Sequence, residues 1–139
     1  MDKERIISLI DRLNLYFDEL ENYLPKDFNE YSENLEKKRF CERTIQLLIE
    51  VCIDISSLLV KELRLGIPEE EENVFDKLFE KKIISKQIMV QLKDMKRFRN
   101  VLVHHYAKID DHLVFQHISK NRKDFIDFKG EIIEFLKNS

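Results

Sequence analysis

Between Pro25 and Gly66 the chain contains neither glycine nor proline, and over that interval apolar residues return every third or fourth position. Such a run has no turn chemistry for hairpins, and its period is that of a helix face. From about Tyr31 to Leu65 it reads as one long helix. Leu35, Phe40, Thr44, Leu47, Leu48, Val51, Ile55, Leu58, Leu59 and Glu62 trace its stripe, and Ile45, Ile49, Cys52, Ile53 and Val60 widen it. A surface that broad implies neighbours on most sides, or an interface with a second chain. Gly66 is expected to end this helix as a left-handed cap, with Pro68 enforcing the break.

The flanking segments repeat the pattern. Ile6, Leu9, Ile10, Leu13, Phe17, Leu20 and Leu24 mark one face of a helix from Lys3 to Leu24, stopped by Pro25. Pro25 to Glu30 reads as a connector. Val74, Phe75, Leu78 and Phe79 predict a short helix over Asn73–Lys82. Ser85 suits the N-cap of a fourth long helix starting at Lys86. Its stripe is Ile88, Leu92, Met95, Phe98, Leu102 and His105, running towards Ile109. Asp110-Asp111 reads as a break. A last helix runs from His112 or Val114 to Lys137, weakened but not ended by Gly130. The expectation is a single all-α domain over residues 1–139, a bundle of four long helices and one short one.

Only two glycines and two prolines in 139 residues leave little turn chemistry and favour helices over strands, and 43% apolar residues recurring with a period argue against disorder. A net charge of −3 argues against a general nucleic-acid binder. Charge is uneven, however. Glu69 to Glu72 are acidic, whereas Lys93, Lys96, Arg97, Arg99 and Lys108 form one basic group and Lys120, Arg122 and Lys123 another. Either group could hold a strand locally, or simply solvate helix faces. Cys41 and Cys52 would lie roughly 16 Å apart on one helix, too far to bridge, and lack metal-ligand spacing. The start, Met1-Asp2-Lys3-Glu4, shows no apolar leader. A reducing cytoplasm is the expected compartment.

Chemistry concentrates in Arg97-Phe98-Arg99-Asn100-Val101-Leu102-Val103-His104-His105-Tyr106. Arg99 is a permanent, bidentate cation suited to a phosphate. Imidazole titrates at about pH 6.5, so His104 can carry a proton either way near neutrality. Asn100 could orient the phosphate or fix a histidine tautomer. The set suits phosphodiester cleavage, in which a 2′-hydroxyl loses its proton while charge builds on phosphorus. That chemistry requires no metal, and none is expected. On a regular helix Arg99 and Tyr106 share a face, but His104 lies about 140° from Arg99. A kink or helix end before His104, or a two-fold dimer, would have to bring the groups together; the dimer is preferred.

Each residue also has a plainer reading. His105 lies on the apolar stripe and suits the core or an interface. His112 and His117 read as surface residues. Tyr106 alone would be a packing aromatic, and the histidines together could serve a dimer interface rather than catalysis.

Arg99, His104 and Tyr106 match Arg-x-x-x-x-His-x-Tyr, and with Asn100 and the trailing Ile109-Asp110 the stretch resembles the HepT family of HEPN-domain proteins. The long helix with Glu42-Arg43, the Gly-x-Pro break and the short helix resemble it too, so the likeness spans roughly Lys37 to Phe128. It implies a HEPN-type up-and-down helical bundle, a homodimer, and a metal-independent endoribonuclease toxin with Arg99 and His104 catalytic. It also implies a minimal nucleotidyltransferase (MntA-like) antitoxin, which transfers AMP to the motif tyrosine, here Tyr106. An added phosphate beside Arg99 would block the cleft by bulk and charge. No cofactor is implied beyond the RNA substrate and this partner. The alternative is a non-catalytic helical subunit that binds a nucleotide or the nucleotidyltransferase.

Overall fold

The computed structural model describes residues 1–139, the side chain of Tyr106 excepted. The described residues form α1 (Lys3–Asn22), α2 (Phe28–Glu33), α3 (Leu35–Glu62), α4 (Asn73–Glu80) and α5 (Lys86–His104). A 3-10 turn (Tyr106–Lys108), α6 (Asp111–Ser119) and α7 (Lys123–Lys137) follow. No strand occurs among the described residues, so the all-α expectation holds. The axis is α3, which packs against every other α-helix. Its buried residues, among them Cys41, Ile45, Leu48, Cys52, Ile55 and Leu59, cover more than half of the helix circumference, and the face of Arg43, Asp54, Ser57 and Lys61 stays exposed. The broad stripe is therefore largely spent within the chain. Phe75, Phe125 and Phe128 close the core around it, each fully buried and stabilising by about 1.5–3 kcal/mol.

The helix starts follow the caps written in the sequence. Asp2, Asn34, Ser85 and Asp110 each accept from a backbone N–H of the first turn that follows, which satisfies donors left open there. Two boundaries differ from expectation. The connector after Pro25 contains α2, capped by Asp27, whose side chain accepts from Glu30 N at 2.9 Å. Phe28 and Tyr31 of α2 pack on Phe115 of α6. Tertiary burial of these aromatics sustains a helix too short to persist alone. Consequently α3 begins at Leu35, not near Tyr31.

The last helix is also two. After Ser119 the chain breaks, and the Arg122 guanidinium turns back to donate to the carbonyls of Ile118 and Ser119 at the end of α6. Gly130 sits inside α7 without ending it. Phe79, expected to face inward, is 36% exposed.

Gly66 is not the cap of α3. Arg64 takes the left-handed conformation (φ 55°), while Arg64 N donates to Lys61 O at 3.2 Å and Leu65 N to Val60 O at 3.0 Å. That pair of bonds is the Schellman closure, with Arg64 where glycine is usually found. The same closure ends α4, with Lys82 (φ 60°) in the left-handed position and Ile83 N donating to Leu78 O. Gly66 (φ 99°) instead turns the chain two residues later.

Candidate functional site

The motif occupies the C-terminal half of α5. Met95, Phe98 and Leu102 face the core, which rotates Arg99 towards α3 and leaves Val103 and His104 outward. The Arg99 side chain is only 14% exposed. It is ion-paired to Glu71, on the segment between α3 and α4, and lies 3.9 Å from Glu50 of α3. Its Nε is buried without a hydrogen-bond partner among the described residues. Asn100 is half-buried beside it. Arg99 is thus not a free cation on a basic surface; carboxylates from two other segments already hold it.

His104 is exposed and is the last residue of α5. The helix is regular up to it, so no kink swings the imidazole towards Arg99 within the chain. It ends immediately after, because His105 leaves helical geometry (φ −130°, ψ 48°). Lys108 N then donates to His105 O at 2.8 Å, turning the chain towards the Asp110 cap of α6. His105 is therefore exposed and belongs neither to α5 nor to the core. The helix does not run on towards Ile109. The expectation that Tyr106 shares a face with Arg99 assumed that it did; the side chain itself, and its role as AMP acceptor, lie outside the described residues.

The acidic segment answers the basic one. Arg97 lies 3.5 Å from Glu72 and 2.7 Å from Asp94, and Lys93 lies 2.9 Å from Asp76. Burial opposes ionisation of Asp76, but donation from Asn73 and Lys93 wins and holds its carboxyl below the usual range. Asp54 goes the other way: burial, with Glu50 nearby, pushes its carboxyl up. In the second basic group Arg122 pairs with Glu21 at 2.6 Å. Of the five basic residues around the motif, Lys93, Arg97 and Arg99 are thus ion-paired within the fold.

Of the two histidines read as surface residues, one departs from expectation. His117 is buried against Phe98, ring centroids 4.3 Å apart, with Asn121 Nδ2 at 3.3 Å from its Nδ1. Burial pushes its pKa down to about 4, with Asp94 opposing, so it is a neutral core residue. His112 is exposed, as expected, and its ring stacks on Phe28 at 3.8 Å. Cys41 and Cys52 are free and buried, and burial raises both thiols, Cys41 to about 11. Among the described residues no group of three or more His, Cys, Asp or Glu could hold a metal. No helix is long and apolar enough to cross a membrane.

A family model described as ribonuclease HepT-like matches residues 13–132. The tRNA nuclease HepT of Aphanizomenon flos-aquae is 27% identical over 131 residues, covering 94% of this chain and 89% of the relative. The mRNA nuclease HepT of Shewanella oneidensis is 30% identical over 84 residues, covering 60% and 63% respectively. The tri-AMPylated HEPN toxin of Shewanella oneidensis, solved in complex with its MNT antitoxin, superposes with a TM-score of 0.86 at 23% identity. That match covers 93% of this chain and 96% of the toxin, and it shows the HEPN fold. With the model match running through nearly the whole chain, the protein belongs to the HepT-like ribonuclease family.

Proposed function

We propose that this chain is the toxin of a toxin–antitoxin pair, a metal-independent endoribonuclease acting in the cytoplasm with Arg99 and His104 as its catalytic residues. The observation that carries the reading is the intact Arg99, Asn100, His104, Tyr106 set at the open end of α5, in a member of a ribonuclease family. His104 takes the proton from a ribose 2′-hydroxyl, whose oxygen attacks the adjacent phosphorus. The bond from phosphorus to the 5′-oxygen then breaks, and that oxygen leaves with a proton from an imidazolium. One imidazole cannot hold both proton states at once, so a two-fold dimer supplying two His104 rings serves both steps. Arg99, bidentate and permanently charged, stabilises the charge on phosphorus, and Asn100 orients the phosphate.

An MntA-like nucleotidyltransferase antitoxin restrains the enzyme by moving AMP from ATP to the Tyr106 hydroxyl, releasing pyrophosphate. The relatives support this: the Shewanella toxin of the same fold is itself AMPylated and bound to an MNT antitoxin. The test is intact mass of the chain co-expressed with its nucleotidyltransferase, beside Tyr106→Phe. AMP increments mapped to Tyr106, and a Tyr106→Phe enzyme that still cuts RNA in the antitoxin's presence, are expected. An unmodified wild-type chain that cuts no RNA favours the non-catalytic subunit instead.

A further inference from the structure

Next to the motif a groove of about 380 Å³ runs between α3 and α5, lined by Arg39, Glu42, Arg43 and Gln46 on one side and Leu102 and Val103 on the other. Its position is informative. Val103 immediately precedes His104, and the α3 wall leads to Arg99: Gln46 Nε2 donates to Glu50 Oε1 at 3.0 Å, and Glu50 lies 3.9 Å from the Arg99 guanidinium. The groove therefore lies one residue from His104 along α5 and leads towards Arg99 through Gln46 and Glu50.

Its lining is chemically graded. Arg39 is committed to Glu42 at 3.0 Å, as Arg97 and Arg99 are to carboxylates of their own. Arg43 is exposed and has no ion-pair partner among the described residues. Opposite it, Val103 is 41% exposed over the buried Leu102, an apolar wall with the reach to pack on a base. Gln46 spends its amide N–H on Glu50, which leaves its amide oxygen to accept from a base edge.

Resting on the ribonuclease reading above, we propose that this groove holds the nucleotide beside the scissile phosphate. Arg43 binds the neighbouring phosphate, Val103 packs on the base, and the Gln46 amide oxygen faces the base edge. An arginine already salt-bridged in the fold must surrender its partner to take a phosphate. Arg43 need not, which makes it the arginine of the motif surface best placed to add net charge to RNA binding.

The test uses the full chain carrying His104→Ala, so that labelled single-stranded RNA is bound without being cut, with anisotropy read across salt. Adding Arg43→Ala is expected to weaken binding about tenfold and to lower the slope of log Kd against log salt by about one phosphate contact. Arg43→Lys restores the slope but only part of the affinity, because the bidentate fork is lost. Gln46→Leu changes the base preference and leaves the slope alone. Unchanged affinity and slope in Arg43→Ala would overturn the proposal. So would a change of oligomeric state in light scattering, which would assign Arg43 to an interface between chains. Failure of wild-type chain to cut RNA strikes the parent reading; a wild-type salt slope in Arg43→Ala strikes only the groove.

Discussion

Arg99 shows at the residue scale what a sequence can and cannot convey. Its charge, and its spacing from His104, are legible in the motif. Its partners are not, since Glu50 and Glu71 come from segments that only the folded bundle brings to it. Glu71 is half-exposed, and such pairs contribute about 0.2–1 kcal/mol. Glu71→Gln is therefore expected to tighten RNA binding by up to about fivefold in the His104→Ala background, read by anisotropy; weaker binding would mean that Glu71 positions the guanidinium. His117 is the converse case, a polar residue whose core position no local pattern reveals. Folded His117 titrates at about 4, against about 6.5 when unfolded, so the native state binds fewer protons. The stability this histidine lends is complete above about pH 6.5 and falls away towards pH 4, by up to about 3 kcal/mol. Urea unfolding at pH 7 and 4.5 checks it: His117→Leu should flatten the difference, and an equal difference in both proteins would refute it.

At the scale of elements, what could be read was whatever is local. The cap at Ser85, the break at Asp110-Asp111 and the period of α1, α4 and α5 are written in a few adjacent residues. The misreadings have separate causes. Phe125 follows Ile118 by seven residues, two turns of an uninterrupted helix, so periodicity runs straight through the break between α6 and α7. Only the Ser119-Lys120-Asn121 polar run hints at it. Asp27 and Glu30, three apart, carry the start signal for α2, but six residues supply too short a stripe to register. At the end of α3 the Gly66 signal was stronger than the true site, because Arg64 occupies the left-handed cap position against its own preference. Relief of about 1–2 kcal/mol of left-handed strain, less about 0.5–1 kcal/mol of glycine's extra chain entropy, sets the outcome for Arg64→Gly. A net gain of roughly 0.5–1 kcal/mol follows, visible as a higher Tm; a lower Tm would show that the arginine side chain holds the turn.

For the whole molecule, one central helix contacting all the others leaves a bundle whose motif opens at the end of α5. The fold was legible because an all-α pattern leaves few ways to bury so broad a stripe as that of α3. The site was half legible. Arg99 and His104 point about 140° apart on a regular helix, and nothing within one chain brings them together. On this account the working unit is a dimer, expected by light scattering in AMP-free protein and retained in His104→Ala. The decisive measurement is cleavage of single-stranded RNA by that AMP-free dimer in excess chelator, wild type beside His104→Ala. The account predicts cutting to 2′,3′-cyclic phosphate ends, slowed by about 10²–10⁴ in the variant. Equal rates, or an AMP-free wild type that cuts only when metal is restored, would contradict it.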